Sequence, residues 1–217
     1  MLNSVFFWLL YVATFALIIY LSMTKNGVLE SLDSKQRRQY NWAIAGASLA
    51  GVISFTLFRS AIGTIISIAV LTGLISIYED ESTKAVNRNM LRVGYLFTNI
   101  ASYVIINNTP ELETYKMFLI VYFVAFLIVL LFFSGIGPSD ARMFMLVSPV
   151  SVVLFQDNSL IFLLVTIMSC MTYQQYRQRL EVDSSVGVPM ALPIYGTTFA
   201  LIAYYAIDII LSPVFAV

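Results

Sequence analysis

Two aspartates are the residues of this chain best suited to chemistry. Asp80 lies in the polar run Glu79-Asp80-Glu81-Ser82-Thr83-Lys84, and Asp140 lies in Gly135-Ile136-Gly137-Pro138-Ser139-Asp140-Ala141-Arg142. Each run adjoins a long apolar stretch. Two carboxylates brought together share a proton, because like charges a few ångströms apart disfavour double ionisation. The pair then offers an acid and a base to one water. That equipment is sufficient for peptide hydrolysis without metal, serine or cysteine. The remaining composition removes other routes. Histidine is absent and Cys170 is the only cysteine, which excludes a disulfide framework, a Cys/His zinc site and any Ser–His–Asp or Cys–His arrangement. Cys170 itself falls in an apolar run and reads as a small buried hydrophobe.

The local sequence around each acid also admits a plain structural reading. Glu79, Asp80 and Glu81 followed by Lys84 and Arg88 fit a solvated helix end with charge pairs one turn apart. In the second run, Gly135 and Gly137 permit close backbone approach. Pro138 suits the first turn of a helix, where its missing N–H costs nothing. Asp140 then falls in that first turn, where the positive end of the helix dipole favours a carboxylate. The same residues would serve an ordinary turn between helices with Asp140 near an N-cap. What raises both acids above this is their setting, since an ionisable group at the edge of a bilayer is costly to keep.

That setting follows from composition. Hydrophobic residues make up 59% of the 217 and charged residues only 11%, with a mean hydropathy of +0.86, against roughly 25% charged in soluble domains. The apolar runs are continuous rather than alternating, which predicts an all-α, polytopic membrane protein and not a barrel. Eight segments are expected, at roughly 4–23, 42–58, 60–78, 91–107, 117–134, 138–156, 159–175 and 192–212. The first reads as a retained span, because no basic region precedes it and no small-residue cleavage site follows. With the N-terminus outside, ten of the twelve Lys and Arg residues fall in cytoplasmic connections, including Arg142. Only Arg59 and Lys116 fall outside, as the positive-inside rule requires. Asp80 and Asp140 then share the cytoplasmic face, although sixty residues separate them. A net charge of zero gives no electrostatic support to a nucleic-acid partner.

Taken in order, these stretches resemble a known family. Asp80, Lys84, Val86 and Asn87-Arg88-Asn89 resemble the segment after the first catalytic aspartate of the type IV prepilin and preflagellin peptidases, D-x-x-x-[KR]-x-I-P-N. Gly135 to Arg142 resembles their second motif, G-x-G-x-G-D-x-K, and Val188-Pro189-Met190-Ala191-Leu192-Pro193 resembles the proline-bearing entry to their last span. The resemblance covers about 80–217. It implies a membrane aspartic protease that removes the short basic leader of prepilin-like substrates, each with an apolar N-terminal helix in the bilayer. On this resemblance Asp80 and Asp140 are the catalytic pair. Gly135, Gly137, Pro138 and Ser139 shape the loop, and Lys84 and Arg142 support the site or the substrate. The acidic trio at 79–81 is expected to attract the basic leader. A six-helix catalytic core at 60–217 would follow two N-terminal spans within 1–59, with no metal and no other cofactor. Departures are Ser139 where the family has glycine, Asn87 near the usual proline, and Arg142 in place of lysine. The polar 24–41 loop stands where many bacterial members carry a four-cysteine insertion, and it has no cysteine.

Two other readings use the same residues. Tyr78-Glu79-Asp80 and Ala191-Leu192-Pro193 partly resemble the Y-D and P-A-L motifs of presenilin-like and signal-peptide-peptidase-like intramembrane proteases, but here the acids are expected at span ends. A transporter or assembly protein is the non-enzymatic alternative. Internal repeats would favour it, and the two halves of this sequence show none.

Overall fold

A computed structural model of the chain describes residues 2–24, 32–58, 60–83, 85–132, 137–180 and 189–215. Among these the long elements are all α-helices: α1 (Leu2–Met23), α2 (Ser34–Phe58), α3 (Ser60–Thr83), α4 (Arg88–Asn108), α5 (Lys116–Phe132), α6 (Pro138–Phe155), α7 (Ser159–Leu180) and α8 (Ala191–Phe215). Short 3-10 turns at Pro110–Tyr115 and Gln156–Asn158 join α4 to α5 and α6 to α7. Each expected apolar segment coincides with one helix. Among the described residues four stretches are long and apolar enough to cross a membrane: Val5–Met23, Ser34–Phe58, Ala61–Thr83 and Pro138–Arg179, the last taking in α6 and nearly all of α7. Large apolar side chains such as Trp8, Leu57, Leu131 and Met168 face outward. Exposed apolar surface of this extent suits lipid rather than water.

Several helices begin before their apolar segments do. Residues 34–41, expected within a polar loop, form the first two turns of α2. The reason is a reciprocal cap: Asp33 Oδ1 accepts the Gln36 N–H at 2.7 Å, while Gln36 Oε1 accepts the Asp33 N–H at 3.0 Å. Such a box satisfies two donors that a helix start otherwise leaves orphaned. Asn87 does similar work for α4, its side chain accepting from the Asn89 and Met90 N–H groups at 3.1 Å each. Polar caps thus extend helices beyond what hydropathy marks.

Helices α3 and α6 form the centre. In the α3 span 72% of residues are buried against 17% for α2, and every residue from Ala141 to Leu154 of α6 is buried. A helix apolar around its whole circumference belongs inside a bundle. Around α3 pack α1, α2, α4 and α8, while α4, α5, α7 and α8 pack on α6. Close approach of α8 to α3 depends on Gly73, where a Cβ would lie 2.6 Å from Tyr195 Cδ1 and 2.8 Å from Phe199 Cζ. Pro149 sits inside α6 and cannot donate to the Met145 carbonyl one turn earlier. Asn99 of α4 fills that gap, its Nδ2 donating to Met145 O at 2.9 Å. The two central helices are the ones that carry Asp80 and Asp140.

Candidate active site

At the end of α3 three consecutive acids go to three different places. Successive residues of an α-helix point about 100° apart, so no single neighbour can receive all three. Glu79 is fully buried. Its Oε1 accepts the Tyr40 hydroxyl from α2, and its Oε2 accepts the Asn87 N–H at 2.8 Å. Asn87 in turn donates through Nδ2 to the Leu21 carbonyl of α1 at 2.8 Å. One carboxylate thereby ties α1, α2, α3 and α4 together. Glu81 turns the other way, accepting the Tyr173 hydroxyl at 2.8 Å and pairing with Arg177 Nη2 at 3.5 Å, both on α7. The Arg177 guanidinium also lies 5.8 Å above the Tyr173 ring.

Asp80, between them, is buried and points at α8. Its Oδ2 accepts the Ala191 N–H at 2.8 Å. Ala191 is the first residue of α8, and helix-start N–H groups lack intrahelical acceptors. The carboxylate satisfies one of them at the positive end of the helix dipole. This arrangement replaces the expected solvated helix end. It also removes the expected steering role of the trio: Glu79 is enclosed by four helices and Glu81 already faces a guanidinium, so neither presents an unmatched charge to a leader. Lys84 lies outside the described residues.

Asp140 is held more locally. Pro138 occupies the first turn of α6, as the sequence predicts, and Gly137 is its N-cap. The Asp140 carboxylate accepts the backbone N–H of Gly137, the reach of a third helical residue back to its own cap. Gly137 has φ −59° and ψ 137°, open to any residue, so glycine is not needed for its torsions. It is needed for space, because a Cβ there would sit 2.8 Å from Asp140 Oδ2. Ser139 is half-buried on the same turn, and Gly135 lies outside the described residues. Arg142 Nη1 donates to the Pro138 carbonyl at 3.1 Å. Arg88, Arg92 and Tyr95 of α4 act electrostatically on its guanidinium, which forms no ion pair among the described residues.

The two aspartates lie within electrostatic reach of each other. The charge of Asp80 acts on Asp140, that of Asp140 on Cys170, and that of Asp80 on Tyr173. A cavity of about 290 Å³ opens beside Asp140, lined by Asp140, Phe144, Cys170, Gln174 and Met190 among others. Met190 immediately precedes the N–H that Asp80 accepts. A wider groove of about 670 Å³ between α2 and α3 includes Glu81 but neither aspartate. Cys170, expected as a small buried hydrophobe, is half-buried, packs against the core and lines the cavity wall. It and Gln174 were legible as a pair four residues apart, which places them on one face of α7. Among the described residues no group of three or more carboxylate, thiol or imidazole side chains is placed to hold a metal ion.

No protein-family model, curated protein or solved structure matches this chain. The functional reading therefore stands on the residues and geometry of the site.

Proposed function

We propose that this protein is a membrane-embedded aspartic endopeptidase, with Asp80 and Asp140 as its catalytic pair. Its substrates are prepilin-like proteins with a short basic leader ahead of an apolar helix. In the topology that goes with this reading all eight helices cross the cell membrane, the N-terminus is outside and the site faces the cytoplasm. One aspartate carries a proton and the other is ionised. The ionised carboxylate takes a proton from a water held between them as that water attacks the scissile carbonyl, and the protonated partner hydrogen-bonds the oxygen on which charge develops.

One observation carries the proposal: sixty residues apart in sequence, the two acids interact electrostatically at one end of the bundle, beside a cavity that Asp140 lines. The acids lie in the last two turns of α3 and the first turn of α6, which favours cleavage at the membrane edge over cleavage within a substrate helix. The test is co-expression with a reporter carrying a basic leader before an apolar helix, with leader loss read by gel shift and N-terminal sequencing. Asp80→Asn and Asp140→Asn should each lower cleavage about a thousandfold or more with expression unchanged. Full processing by either variant refutes the assignment.

A further inference from the structure

The arginines beside Arg142 form a group that the protease reading does not use. Arg142 is 8% exposed. Its Nη1 bonds to Pro138, but its Nε is buried without a hydrogen-bond partner. Arg92 and Arg88, on the adjoining α4, bring their charges to bear on the same guanidinium. Among the described residues the ion pairs are Lys116–Glu113 and Arg177–Glu81, so none of these three cations is matched by an acid there. Two like charges acting on a buried guanidinium with an orphaned donor repel it and leave a strong donor unused. Local backbone supplies no counter-charge, since α4 and α6 both begin here and present the positive ends of their dipoles. An anion belongs at this place.

The shape of the adjoining surface indicates which anion. Arg88, Arg92, Leu96 and Ile100 follow one another at four-residue intervals, a single stripe along α4. Arg88 and Arg92 are exposed at its start, and Leu96 and Ile100 are exposed further along. There a groove of about 330 Å³ opens between α4 and α5, lined by Leu96, Ile100, Val104, Leu119 and Phe123 among others. From Arg92 to Val104 the helix rises about 18 Å, close to the ~15 Å half-thickness of a bilayer hydrocarbon core. A cationic head one helical turn ahead of an apolar groove, the two together spanning that length, is complementary to an amphiphile.

We infer that Arg88, Arg92 and Arg142 bind the phosphate of an anionic membrane lipid, whose acyl chain lies in the groove between α4 and α5. Guanidinium forks match phosphate oxygens two at a time, and basic pockets between helices at the membrane surface are suited to lipid headgroups. The inference rests on the membrane reading and is independent of the protease assignment.

The full-length protein in detergent, offered an equimolar mixture of phosphatidylglycerol and phosphatidylcholine, gives the test by native mass spectrometry. The wild type should retain phosphatidylglycerol selectively. Arg88→Gln/Arg92→Gln, at exposed positions where folding is not at stake, should weaken retention about 25-fold, taking about fivefold per arginine. Ile100→Glu, which charges the groove and leaves the arginines in place, should also release the lipid. Equal retention of both lipids, or retention undiminished in the double variant, overturns the inference. Inorganic phosphate alone displacing the lipid at millimolar concentration would overturn it too, reassigning the arginines to free phosphate. None of these readouts depends on leader cleavage.

Discussion

The end of α3 and the start of α6 each carry one aspartate within electrostatic reach of the other, but they fix it by opposite means. Asp80 stands between two acids that are anchored to other helices, Glu79 to α1, α2 and α4 and Glu81 to α7, and its own oxygen is held by α8. Its position is a property of the assembled bundle. Asp140 is set by its own turn, through the Gly137 N–H, the space Gly137 leaves, and the helix start at Pro138. One acid is placed by tertiary contacts and the other by local ones. Perturbations should therefore separate, with damage near Asp80 costing stability and damage near Asp140 costing geometry alone.

The sharpest way to break this contrast is Glu79→Ala. It strands the Asn87 N–H inside the bundle and leaves the Tyr40 hydroxyl only the Ser22 carbonyl at 3.2 Å, and should destabilise the protein by about 3 kcal/mol, read as a lower thermal midpoint in detergent. Glu79→Gln should fall between, because an amide offers one acceptor where the carboxylate offers two. A wild-type midpoint for the alanine variant would mean that this carboxylate is solvated.

Gly137→Ala tests the other side. The added methyl meets Asp140 Oδ2 at 2.8 Å and must push the carboxylate aside. Leader cleavage should fall about ten- to a hundredfold, with stability changed by no more than about 0.5 kcal/mol. Lost stability with cleavage intact would invert the assignment of local and tertiary control. The smallest effect is expected for Tyr173→Phe, which removes one of two partners from the half-exposed Glu81. Arg177 still faces that carboxylate, so the thermal midpoint should report under about 1 kcal/mol. A larger loss would place Glu81 with Glu79 as a principal tie.

Much of this was legible in the sequence because the relevant physics is local. Eight apolar runs each mark a long helix among the described residues, since a continuous apolar stretch leaves its backbone polar groups no partner but one another. Pro138 marks the start of α6 and puts Asp140 in its first turn. What hydropathy missed were caps: Asp33 with Gln36, and Asn87, each a polar residue whose value to a helix lies in hydrogen bonds to its first N–H groups. The capping box at Asp33-Ser34-Lys35-Gln36 has a recognisable spacing and was readable. The fate of Glu79 was not. Nothing in Glu79-Asp80-Glu81 says which acid is enclosed, because that depends on where Tyr40 and Asn87 arrive from elsewhere in the chain.

The sequence by itself determined the helical, apolar character of the protein and the residue types its chemistry can use, because hydropathy and composition act residue by residue. It also set Asp140 on the first turn of its helix, through neighbours two and three positions away. Only the tertiary structure decided that Glu79 is an internal tie, that Asp80 receives the first N–H of α8, and that Arg142 faces two more arginines. Helical rotation sends neighbouring side chains in different directions, and what each one meets is fixed by the packing of distant helices.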